Sequence, residues 1–167
     1  MMRQDSIGIR DLPWVAAAIL ALLVLVASIP PGQRKNQADD IEDINTVIDR
    51  FQEAYSNERQ NDLRQLFFAE SVIAYDQEDG RIQGVAALED WLHATQTQVF
   101  DVNTGVSDTL SDREIQVYGN IAYVVCSYVY RDSLKRHEGT DIFTLMKMRD
   151  RWRILSLQWT GGAVSTR

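Results

Sequence analysis

The chain has 167 residues, 45% of them apolar and 25% charged, and a formal net charge of -7, which leaves room for one globular domain and an appendage. The acidic balance and the lack of a basic, aromatic-interleaved patch exclude a nucleic-acid partner, because phosphate binding needs a basic surface. Cys126 is the single cysteine, so no intrachain disulfide can form. His93 and His137 have no second ligand at metal spacing, so neither a metal nor a cofactor is expected.

Residues 1–13 form a polar leader carrying Arg3 and Arg10 beside Asp5 and Asp11. Trp14 to Ala27 carries no charge, and the apolar stretch runs from Leu12 to Ile29, at the lower edge of what spans a bilayer. Two expectations follow. Residues 12–29 anchor the chain in a membrane as a hydrophobic helix, or residues 1–28 are a cleaved signal. Either way the domain lies outside the cytoplasm, membrane-anchored or secreted and periplasmic. Residues 1–38 thus comprise leader, anchor or signal, and the linker PPGQRKNQA.

The domain is expected at 39–161, with a tail at 162–167. Asp39 and Asp40 suit the start of a helix, where acid meets the positive end of the dipole. Ile41, Ile44, Val47, Ile48, Phe51 and Tyr55 recur at helical spacing and mark its apolar stripe. A short second helix carries Leu63, Leu66 and Phe67. Ser71 to Asp76 reads as a strand, and Gly84 precedes a third helix with Val85, Leu88, Trp91, Leu92 and Thr95 on one face. From Phe100 onward all signals are strand: 101–110, 113–118, Ile121 to Tyr130, and then a hairpin. Gly119 and Asn120 form one turn, and Lys135 to His137 lie in another.

That hairpin, Gly139 to Trp159, sets two apolar runs around the charged turn Arg149-Asp150-Arg151. Asp141 stands in phase with Phe143 and Leu145, because strand side chains alternate faces. A carboxylate on an apolar strand face is costly unless it is paired, protonated or wet. Alternation alone leaves open which face of the strand looks inward. Helices first and a bent antiparallel sheet second make an α+β domain. The curved sheet would wrap as a cone around the three helices, with one hydrophobic helix preceding them.

The helix IEDINTVIDRFQEAY, the continuation DLRQLFFAESVIAYD, the Gly84-led helix and the closing RWRILSLQW resemble the nuclear-transport-factor-2-like superfamily, with its ketosteroid isomerases and SnoaL-like cyclases. The resemblance covers residues 39–161. It implies the cone-shaped fold and a pocket inside it, while function must be argued at the site. Set against ketosteroid isomerases, Asp76 falls where those enzymes carry a general base. Asp141 falls where they carry a protonated acid that donates to an oxyanion. Phe51 stands where they carry a tyrosine, so one oxyanion donor is missing. Tyr55, one helical turn on, lies on the same face.

The expected site therefore holds Asp76 and Asp141 as acid–base residues. Phe51, Tyr55, Phe67, Trp91, Tyr123, Phe143 and Trp159 are its expected lining. Three functions compete. The domain binds a small apolar molecule in the cone. It is an isomerase, cyclase or dehydratase using Asp76 and Asp141. Or it is an envelope assembly module. A homodimer through the sheet is also expected, because Thr140, Ile142, Thr144, Met146 and Met148 make the face opposite Asp141 apolar enough to be a dimer interface or to be covered by helices.

Overall fold

Pro31 opens the first helix, α1 (Pro31–Ser56). The helix therefore begins eight residues before the expected start at Asp39. Proline suits a first helical turn because its missing N–H is unpaired there in any helix. The computed structural model describes residues 31–76, 82–161 and 164–166, with side chains for 37–74 and 84–161. Two units divide the chain, Met1–Asp39 and Asp40–Arg167. Of the first, residues 31–39 are described and are helical. The expected membrane segment, residues 12–29, lies outside the described residues. Among the described residues no helix is long and apolar enough to cross a membrane.

From Asp40 onward α1 buries the stripe Ile44, Val47, Ile48, Phe51 and Ala54, the helical period expected from the sequence. A short helix α2 (Gln60–Leu66) leads straight into β1 (Phe67–Asp76). Phe67 thus starts the strand rather than ending the helix. Strand β2 (Ile82–Ala87) pairs antiparallel with β1, so Val85, expected on the third helix, sits instead opposite Ala74 and is exposed. Helix α3 (Leu88–Thr95) follows and buries Leu88, Trp91, Leu92 and Thr95. It widens into a π-helical turn at Gln96–Phe100.

The second half is sheet. Strands β3 (Ser107–Tyr118), β4 (Ile121–Arg131), β5 (Lys135–Met148) and β6 (Arg151–Thr160) form an antiparallel meander. The two expected strands 101–110 and 113–118 are one, β3, whose pairing with β4 skips between Ser111 and Glu114. Lys135 to His137 belong to β5 rather than to a turn; the turn is the preceding segment around Asp132. A short β7 (Val164–Thr166), inside the expected tail, pairs with the start of β5 beyond the reach of β6. The strand order is β2-β1-β6-β5-β4-β3, and the β1–β6 pair is parallel.

Register breaks in β1, β3 and β5–β6 are bulges, which bend and twist a sheet. The result is the expected α+β architecture: three helices and a curved, unclosed sheet. Asp141, Phe143 and Leu145 of β5 face the helices and are buried, while Met148 on the other face is exposed. That fixes the inward face left open by alternation. The helices α1 and α3 cover the concave side, with Ile154, Val124 and Phe143 fully enclosed between. Burial of such apolar side chains contributes about 1.5–3 kcal/mol each.

Candidate binding pocket

The C-terminal end of α1 is tied to the sheet's edge strand. The Ser56 hydroxyl accepts from the Asp108 N–H at 2.9 Å and donates to the Asp108 carbonyl at 3.1 Å. Gln52 Oε1 accepts from the Leu110 N–H at 2.9 Å. Side chains thus supply partners to edge-strand backbone groups that lack a neighbouring strand. The tie sets Asp108 on β3 against the helix that carries Phe51 and Tyr55.

Between these elements lies a cavity of about 430 Å³, within the usual range for small-molecule sites. Phe51 and Tyr55 reach it from α1, and Trp91 and Thr95 from α3. Tyr128 and Tyr130 line it from β4, and Leu157 and Trp159 from β6. Tyr55 is its aromatic hub. Its ring stacks with Phe51 at 6.1 Å and with Trp91 at 6.5 Å, and meets Phe100 and Tyr130 edge-on at 5.4 and 6.5 Å. Such offset and edge-on pairs suit the ring quadrupole and hold the wall rigid.

Two carboxyls share this aromatic cavity, Asp108 from β3 and Asp141 from β5. Asp108 is 8% exposed and Asp141 6%. Burial pushes Asp108 up to about 6, against a Thr109 N–H bond that favours the charged form. Its Oδ1 is buried and has no hydrogen-bond partner. Burial also raises Asp141 well above the carboxylate range, and the charge of Asp108 adds to it. Desolvation penalises the ionised form, and two like charges in one site penalise it again. Burial and the neighbouring charge thus both favour the protonated form of Asp141. Asp108 is a carboxylate poised to take up a proton. Burial, then Asp108 and Asp141, raise the Tyr55 phenol too. Burial, then Asp141, push Tyr128 up to about 12, and its hydroxyl donates to the Thr160 carbonyl at 3.2 Å.

At the β5 end of the cavity stand Lys135 and His137. The Lys135 ammonium lies 5.9 Å from the Tyr130 ring centre. The Tyr130 hydroxyl donates to Asp132 Oδ2 at 2.7 Å, while Asp132 Oδ1 accepts the N–H groups of Leu134 and Lys135. Burial would raise Asp132, but the Leu134, Tyr130 and Lys135 donors outweigh it and hold the carboxylate ionised. Asp132 is thus a turn-capping group rather than a third cavity acid.

The expected site residues divide into four placements. Phe51, Tyr55, Trp91, Trp159 and Asp141 line the cavity together. Phe67 and Phe143 stand behind it in the core, packed edge-on to Phe51 at 6.1 and 5.1 Å. Tyr123 is on the outer sheet face, exposed and edge-on to Tyr118; it is out of phase with the inward Ala122 and Val124, so the pleat turns it away. Asp76 ends β1 at a register break opposite Ile82, and its side chain lies outside the described residues. Asp108 was missed. The signal that marks Asp141 marks it equally: it alternates with Val106 and Leu110, both buried.

Comparisons with known proteins agree with this architecture. The family described as "Putative lumazine-binding" matches residues 39–160. No curated protein matches the chain. Among solved structures, a hexachlorocyclohexane dehydrochlorinase superposes with a TM-score of 0.69 at 6% identity, covering 80% of this chain and 93% of the other. The "Putative Scytalone Dehydratase" of Novosphingobium aromaticivorans gives 0.68 at 14% identity, covering 80% and 91%. A nuclear-transport-factor-2-like superfamily protein of Salmonella enterica gives 0.62 at 17% identity, covering 73% and 90%. At these identities the structures share the fold alone. The family match runs from Asp39 on α1 to the end of β6, so the chain belongs to that family.

Proposed function

We propose that this domain binds a small, flat, ring-bearing molecule in the cavity between α1, α3 and the concave sheet face. One observation carries the reading: an aromatic-walled cavity of about 430 Å³ lined by Asp108, a buried acid one of whose oxygens has no hydrogen-bond partner. Buried polar atoms are nearly always hydrogen-bonded, and an orphan in a roomy cavity marks where an occupant would bond. The family's description speaks of lumazine, a fused-ring heterocycle, which supports a flat ligand. The occupant is apolar over its faces, against Tyr55, Trp91 and Trp159, and polar at the edge that meets the two acids.

A second reading is favoured by the acids' unequal protonation. A carboxylate near pKa 6 beside an acid whose protonated form burial favours suits the division of roles that proton abstraction next to a carbonyl requires. It would use Asp141 as the acid and Asp108 as the base, a role for which the ketosteroid-isomerase comparison points instead to Asp76. Binding ranks first because Phe51 stands where that comparison expects a phenol. In either case residues 12–29 would hold the domain at a membrane, outside the cytoplasm, since that run carries no charge. A homodimer would use the outer face around Ile121, Tyr123 and Val125, which is exposed and apolar.

Titration of the protein's tryptophan fluorescence with a set of small fused-ring compounds tests the binding reading, because Trp91 and Trp159 line the cavity. Saturable quenching by at least one compound is expected. It should vanish in Ala94→Trp, which fills the cavity from α3. No saturable change across the set, or quenching unaltered in Ala94→Trp, would refute it.

A further inference from the structure

Two buried acids share one cavity, and burial rather than an ion pair dominates the pKa of each. The titratable and hydroxyl groups around Asp108 come from three of the elements that line the cavity. Tyr55 and Ser56 come from α1, Tyr128 and Tyr130 from β4, and Asp141, Lys135 and His137 from β5. Asp132 stands beyond Tyr130. The ammonium of this set, on Lys135, lies over Tyr130 on an exposed side chain. Asp108 Oδ1 accepts nothing. The aromatic faces add to the negative character, because a ring's π face attracts cations. The whole chain carries -7, so its long-range field favours the same sign of ligand.

Resting on the pocket-binding reading above, we propose that the occupant carries a protonated nitrogen on an aromatic skeleton, an aryl-alkyl ammonium or a protonated ring amine. Its N–H donates to Asp108 Oδ1 while the ring lies among Tyr55, Trp91 and Trp159. Ionisation of Asp108 is then stabilised by the ligand's charge instead of penalised by burial. Asp141, on the neighbouring strand, keeps its proton or loses it to solvent as the cation arrives. Below about pH 6, where Asp108 carries its proton, binding is therefore linked to proton release.

Three congeners with one ring and three charges test this by calorimetry on the full chain: tryptamine, tryptophol and indole-3-acetate. Tryptamine should bind about tenfold or more tighter than tryptophol at pH 7, the scale of a charge-assisted, ring-caged contact. Its affinity should fall about tenfold per pH unit below about 6, as Asp108 takes up its proton, while that of tryptophol stays level. Asp108→Asn should erase the preference for tryptamine and leave tryptophol binding in place. The comparison among congeners on the unaltered protein stands even if that variant folds poorly. Equal affinity for all three would overturn the cation inference while leaving the pocket reading intact. Preference for indole-3-acetate would overturn it and assign recognition to Lys135 and His137. Binding of none would overturn it too, and the fused-ring titration decides separately whether the pocket reading falls.

Discussion

Asp108 is held in the cavity wall at a cost. Its folded pKa near 6, against 3.8 when unfolded, makes ionisation at pH 7 cost about 3 kcal/mol of stability. The sign follows from proton counts. Between about pH 4 and 6 the folded chain binds more protons at this carboxyl than the unfolded chain does, so stability falls as pH rises through that window. Asp141, raised by burial and by Asp108, contributes in the same direction. Urea denaturation at steps between pH 4 and 7 should show the decline, and Asp108→Asn should flatten its lower part. A wild-type curve that rises across the window would contradict the assignment. Asp141 was legible in the sequence as an acid on an apolar strand phase. Asp108 obeys the same alternation, but the register shift between Ser111 and Glu114 breaks the phase within β3, so the sequence pattern reads as two short strands. Asp76 is expected at the site through the family resemblance rather than through burial, and its side chain lies outside the described residues.

At the level of elements, the cavity's shape depends on how closely β4, β5 and β6 approach. Gly139 lies opposite Tyr128, and a Cβ added there would strike the Thr160 carbonyl and the Tyr128 ring. Gly139→Ala should therefore push Tyr128 from its bond to Thr160, lower stability by about 1–3 kcal/mol, and weaken any cavity ligand. Thermal denaturation alongside a ligand titration reads both effects. A second tie holds α1 to the hairpin. Asp40 Oδ1 accepts from Lys147 Nζ at 2.6 Å and from Trp152 Nε1 at 3.0 Å, and the Asp40 bond raises the pKa of Lys147. Asp40→Ala leaves the buried indole N–H without a partner and should cost about 1–3 kcal/mol in urea denaturation. Asp40→Asn, which keeps an acceptor, should cost less. The helical stripes and the Gly139–Trp159 hairpin were plain in the sequence, because long periodic segments carry their own signal. The β2 strand was not. Ile82 to Ala87 is short, contains Gly84 and runs directly into α3, so local pattern assigns Val85 to the helix while pairing with β1 makes it strand.

For the molecule as a whole, element order was enough to give the fold: helices first, a bent sheet second. Order could not give the inward face, because a one-residue slip exchanges the two faces of every strand. The concave face proves to be the one with Asp141, and the choice turns an isolated misplaced acid into part of a two-acid aromatic cavity. Were the domain an assembly module, its outer sheet face would carry the function and the cavity would be incidental. The crystal structure of the protein soaked with tryptamine and with fused-ring fragments separates these directly. The expected result is a ring lodged between Tyr55, Trp91 and Trp159 with a polar edge within hydrogen-bond distance of Asp108 Oδ1. Fragments confined to the outer sheet face, with the cavity closed by its own side chains, would contradict it.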